Sequence, residues 1–342
     1  MDHYDFHAAA REGTFPLIPV GLITVENVTR PNNSGNTPLH TAAKYGTLDQ
    51  LPPALLSSHN LLIKNDAGYT PLHHSARGGH LNQIPRALLT RDNLLIRSNS
   101  GYTPFHLCAA AGALGQIPAE LLNMEIILHR TDVGNNLLHE AAEAGTLDRI
   151  PPNFFTEETL TAVNISGETV FHVAAFNGHL NQIPAEFLTA RHLLAQTSNH
   201  DTCLHAAAIS GHLDQVPVEL LTHENLVKSS KSGYTPIHAA AESGYLHQIP
   251  ADRLTIDLLI VRNEFGDTPM HAAAVEGHLN QIPAEFINRA TLTIRNYTGG
   301  TPQGAAIRHG HVDQLPAEFR PRQPSVWRNF LYKIGASRPP LG

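Results

Sequence analysis

The 342-residue chain is 42% hydrophobic and 15% charged, a balance that excludes wholesale disorder. Its net charge is −7, and the last 23 residues hold Arg320, Arg322, Arg328, Lys333 and Arg338 with no acid, so the remainder is more acidic still and a poor bulk partner for nucleic acid. No apolar run approaches the roughly 18 residues that span a bilayer, and the start, MDHYDFHAAA, lacks the basic-then-apolar order of a signal peptide, which makes the cytoplasm the expected compartment.

In chain order, residues 1–30 open with DFHAAAREG and LIPVGLIT, a unit without the turn words that precede later ones, as expected of an end cap. Its histidine, His7, begins a series that returns every 33 residues at His40, His73, His106, His139, His172, His205, His238 and His271, with Gly304 in the tenth place. A glycine follows six residues after each of these positions, from Gly13 to Gly310, and a proline twelve residues after, from Pro19 to Pro316. Self-similarity at this spacing predicts a solenoid of helical pairs, each burying its apolar face against its neighbours. Ten repeats over residues 1–320 read as one elongated all-α domain, the last of them, 297–320, degenerate.

Within each unit three parts are expected. A polar turn ends in glycine and threonine-proline, as in DAGYTP at 66–71 and KSGYTP at 231–236. An inner helix starts on that threonine-proline pair as N-cap and N1, and stops at the glycine six places past the histidine. The alanines two and three places after the histidine let neighbouring helices approach closely. The third part, HLNQIPAEFLT at 179–189, sets a proline where a helix interior would lose about 3 kcal/mol. The expectation is therefore a turn of LNQI, the proline as N1 of a short outer helix with glutamates such as Glu186 near its positive end, and a threonine-led turn before an apolar pair. In the middle units threonine-proline weakens to Asn136-Leu137, Thr169-Val170 and Thr202-Cys203, and His200 replaces the turn glycine, so less regular structure is expected there.

The words G-x-T-P-L-H-x-A-A-x-x-G-H-L, intact from Gly68 to Leu81 except at Ser75, resemble the ankyrin repeat, and the likeness covers all ten units. The Q-I-P-x-E-F-L-T segment departs from the family's usual continuous second helix and is similar to a variant of bacterial repeat proteins. The resemblance implies helix-turn-helix units joined by hairpin-like loops, frame histidines bonded between hairpins, and a concave binding face formed by the positions that vary while the frame stays fixed. Those positions give Tyr69, Tyr102, Tyr234 and Phe265 on the tips, and Lys44, Tyr45, Arg77, Glu143, Phe176, Ile209, Glu242, Val275 and Glu276 on the inner helices. The function so implied is a non-enzymatic scaffold that holds a protein or peptide, acts as a monomer, and needs no cofactor.

Other readings carry less. Fourteen of the 23 histidines occupy fixed places in the repeat, and a ladder of that kind does not converge on a metal. His139-Glu140-Ala141-Ala142-Glu143 echoes the zinc-protease H-E-x-x-H but lacks its second histidine. An enzyme or small-ligand binder with a pocket in the irregular middle units, around Glu140 to His205, is the alternative from another class; an acid-base set of Glu140, Glu143 and His172 has no sequence feature to recommend it. Cys108 and Cys203 stand where other repeats carry small or apolar residues, three repeats or roughly 30 Å apart, so no disulfide is expected. Residues 321–342 form a basic tail in which Ser325 caps a short helix over 326–334 with Trp327 on its apolar side, either closing the end of the stack or offering a membrane contact.

Overall fold

The computed structural model describes residues 4–321, so the tail helix expected over 326–334 lies outside the described residues. The chain divides into two compact units, Met1–Phe187 and Leu188–Gly342. Among the described residues all regular structure is helical. In the first unit the inner helices Phe6–Glu12, Pro38–Tyr45, Pro71–Gly78, Pro104–Ala110, Leu137–Ala144 and Val170–Asn177 pack each against the next. In the second, Cys203–Ser210, Pro236–Ser243, Pro269–Glu276 and Pro302–His309 do the same. From the second helix onward, each begins 33 residues after the last, as the repeat period requires.

The threonine-proline-x-histidine words are a capping device. Thr70 precedes the helix as N-cap and Pro71 is N1, where a missing N–H costs nothing. His73 is N3: its backbone N–H donates to Thr70 Oγ1 at 3.4 Å, and its ring Nδ1 accepts from the Thr70 N–H at 3.1 Å. An imidazole thus does what glutamate or glutamine does in the usual capping box. The other ring nitrogen, Nε2, then carries the hydrogen and donates to the Tyr102 carbonyl of the following hairpin at 3.2 Å. The same reach recurs from His40 to Tyr69, His139 to Glu168 and His238 to Asp267. His106 departs from it and donates to the His129 carbonyl at 2.9 Å. The helices end on left-handed glycines such as Gly46, Gly145 and Gly244. Alanines two and three places after the histidine, Ala42 and Ala43 among them, are fully buried between neighbours.

The hairpin tips are joined by single backbone bonds, Asn99 N–H to the Ala67 carbonyl at 3.0 Å being typical. At Gly101 a Cβ would stand 2.6 Å from the Asp132 amide, so the tip glycine answers to close approach as well as to its φ of 78°. His200, which replaces a tip glycine, keeps the conformation at φ 65° and is the single non-glycine with positive φ among the described residues. The middle helices stay regular. Leu137–Ala144, Val170–Asn177 and Cys203–Ser210 each hold eight residues, because Asn136, Thr169 and Thr202 still cap them without the proline.

The outer layer is broken, as expected, but in a different way. LNQ is itself a turn of 3₁₀ helix, as at Leu81–Gln83. The proline is not N1: Pro85, at φ −53° and ψ 126°, is an extended N-cap of a second 3₁₀ turn, Arg86–Leu88. Steric conflict with the proline ring forces Ile84 into the extended region, which ends the first turn and sets the angle of the second. The threonine-led segment is a four-residue α-helix, Arg91–Leu94, capped by Thr90. Asn93 Nδ2 closes the layer by donating to the Leu88 carbonyl at 2.8 Å, a bond repeated from Asn60 to Leu55 and from Asn225 to Leu220.

The glutamine of Q-I-P is a bridge to the preceding repeat. Gln248 Nε2 donates to the Gly211 carbonyl at 2.6 Å while its Oε1 accepts the Leu213 N–H at 2.9 Å. Gln83 holds Gly46 and Leu48 in the same way, and Gln182 holds Gly145 and Leu147. Replacing Gln248 with alanine strands a carbonyl and a buried N–H together, so a loss of about 2 kcal/mol is expected in urea unfolding. An unchanged midpoint would mean water replaces both bonds.

Candidate binding face

The positions singled out by their variability sit at the C-terminal ends of the inner helices and on the hairpin tips. In the first unit, Lys44 and Tyr45 are both exposed at the end of their helix, the ammonium 5.2 Å from the ring centre. Tyr69 and Tyr102 are half-buried, their rings edge-on to His73 and His106 at 5.4 and 6.1 Å, so the frame histidines fix where the tyrosines stand. Phe176 is 53% exposed on the Val170–Asn177 helix.

Four of these residues meet. Tyr69, Arg77, Tyr102 and Glu143 line one hollow of about 550 Å³. It exists because the Pro104–Ala110 helix carries only Ala110 and Ala111 where its neighbours carry Arg77 on one side and Glu143 on the other. At its base Glu140 is 5% exposed and is the one carboxylate among the described residues to be so enclosed. Asn135 Nδ2 donates to it at 3.0 Å, and Tyr102 lines the same hollow. Burial, with Glu143 beside it, pushes Glu140 up to about 7. Burial together with the two glutamates raises the Tyr102 phenol to about 12.

In the second unit Tyr234, Glu242, Val275 and Glu276 line a smaller hollow of about 300 Å³, with His238, Asp267 and Arg308. The Tyr234 ring packs on His238 at 5.4 Å and its hydroxyl donates to Glu242; burial, and then that bond, raise the phenol. Ile209 and Phe265 are exposed, Phe265 to 66%, and neither lines this hollow; nor do Lys44, Tyr45 and Phe176 line the hollow of their own unit. A larger concavity of about 750 Å³ lies at the amino-terminal end of the first unit, where Tyr4, Phe6 and Pro19 belong to the first repeat.

Glu140, Asp267 and Arg308 were not among the predicted face residues. Asp267 and Arg308 occupy the same places, four before and four after the frame position, that yielded Tyr102 and Arg77, so the rule applied to every repeat finds both. Glu140 stands one place after its histidine, where Ala8, Ala206, Ala239 and Ala272 stand elsewhere, and only that contrast marks it.

The frame histidines are committed to capping and to hairpin carbonyls, and among the described residues no three His, Cys, Asp or Glu side chains form a metal-holding group. Cys108 and Cys203 are buried free thiols whose burial raises them. No helix among the described residues is long and apolar enough to cross a membrane. Residues 185–249 match the family model for ankyrin repeats, in three copies. That match and the repeated helix stacks are consistent with an ankyrin-type helical solenoid. No curated protein matches the chain. Ankyrin repeats generally serve as protein-interaction modules, and a family of that kind agrees with the stacked helices and the varied tips described above.

Proposed function

We propose that this ankyrin-repeat chain is a non-enzymatic recognition scaffold that holds a protein or peptide against the tips and inner helices of its repeats. The observation that carries this reading is the concentration of exposed or half-exposed aromatics, Tyr45, Tyr69, Tyr102 and Phe176, on the varied positions beside a frame whose helix alanines and most of whose histidines are buried. Rigid aromatics of this kind supply most of the energy of many interfaces. A monomer working in the cytoplasm without a cofactor is the accompanying expectation.

The test is capture of a partner from the native source by the full chain and by a Tyr45→Ala, Phe176→Ala double variant. Loss of at least one specific protein with the melting temperature nearly unchanged is the expected result. Equal capture by both chains would remove the aromatics from the interface and end the proposal.

A further inference from the structure

Three features of the first-unit hollow are unexplained by the fold. The helix that floors it bears alanine at both varied positions, Ala110 and Ala111, which opens a notch between the taller side chains of its neighbours. Glu140 is buried there with Asn135 as a neutral hydrogen-bond donor and no cation paired to it among the described residues, although an ionised carboxylate so enclosed ordinarily has one. Glu143 lies three residues along on the same helix, and neither glutamate has an ion pair among the described residues. Like charges at that spacing destabilise each other.

An occupant must satisfy all of these surfaces. The lining combines apolar Ala110 and Ala111, the rings of Tyr69 and Tyr102, the carboxylates of Glu140 and Glu143, and the guanidinium of Arg77. A neutral apolar group leaves the carboxylates unrelieved, and an anion is repelled by them. A long side chain with an aliphatic stem and a cationic head matches each wall: stem on alanine and ring faces, head on the glutamates. We infer that the Tyr69–Tyr102–Glu140–Glu143 hollow is a pocket for one lysine side chain of the bound partner. This deepens the recognition-scaffold reading and rests on it. The guanidinium of Arg77, which has no ion pair among the described residues, is then placed to meet a carbonyl or carboxylate of the same partner segment.

The probe is an acetylated and amidated Gly-Gly-Lys-Gly-Gly peptide, compared with its norleucine analogue, which keeps the stem and lacks the charge. Binding to the full chain is read from the methyl resonances of Ala110, Ala111 and Ala144. The lysine peptide is expected to shift these methyls and to bind about tenfold more tightly than the norleucine peptide, the effect of one charge-assisted hydrogen bond. Glu143→Gln, on an exposed residue whose change leaves the fold intact, is expected to remove most of that preference, and Glu140→Gln the rest. Equal binding of the two peptides, an unchanged preference in Glu143→Gln, or no shift at millimolar lysine peptide would each overturn the inference. Partner capture that depends on Tyr45 and Phe176 but not on Glu143 would overturn it while leaving the scaffold reading standing.

Discussion

Between about pH 6.5 and pH 4 the first unit is expected to lose stability steeply. Burial holds His40, His73, His74, His106 and His139, all in this unit, down to about 4, against an ordinary histidine value of 6.5. Hydrogen bonding gives a second reason in four of them: Nδ1 accepts the N–H of the capping residue, and a proton placed there removes the acceptor. The sign follows from the order of the two states. Well above pH 6.5 neither folded nor unfolded histidines are charged, and the stability they permit is fully present. As pH falls through the window the unfolded chain takes up protons that the native unit refuses, so stability drops until the folded value near 4 is passed. Glu140 acts in the opposite sense, since its raised value makes the native unit the better proton binder between the ordinary carboxylate range and about 7, and it offsets one histidine. Each net proton is worth roughly 1.4 kcal/mol per pH unit, so four give on the order of 5 kcal/mol per pH unit against a typical total of about 5–15. Urea midpoints followed by helical circular dichroism at pH 7.5, 6 and 5 should fall steeply, and a flat profile would contradict the buried, neutral histidines.

A second large effect contrasts two residues of one helix. Phe171 is fully enclosed and Phe176, five places on, is half exposed at the varied position. Phe171→Ala removes a ring from a packed interior and should destabilise the unit by about 3–5 kcal/mol. Phe176→Ala should cost less than about 1 kcal/mol, because its ring already meets solvent. Comparable losses in the two variants would make Phe176 part of the core and withdraw it from the binding face.

Much of this architecture was legible in the sequence because its signals are local. Threonine-proline before a helix, glycine after it and alanine pairs within it each act through a few neighbouring backbone groups, so reading them needed no knowledge of what lies alongside. The outer layer was less legible. Proline at twelve places past the histidine forbids a helix interior, but both N1 and an extended cap satisfy that restriction, and the choice depends on how Ile84 and its equivalents pack. The glutamine bridge was missed because its partners, Gly211 and Leu213 for Gln248, lie over thirty residues earlier. Glu140 is not marked as a face residue by the sequence, since nothing local tells whether a carboxylate beside a frame histidine is enclosed.

One gap in the glutamine series bears on how the first unit comes apart. Arg149 stands where the bridge from the Leu137–Ala144 repeat back to Gly112 would begin, and its guanidinium lies instead 3.5 Å from Asp148. Thr146 still holds the Ala109 carbonyl at 2.6 Å, but the two-pronged clasp is gone. Linear arrays yield where coupling between adjacent members is weakest. Amide exchange should therefore be quicker around Gly112 to Gln116 than at the clasped junctions at Gly46 and Gly145, parting the array at the same junction that shapes the notch, and a guest lodged there would act as the missing rivet.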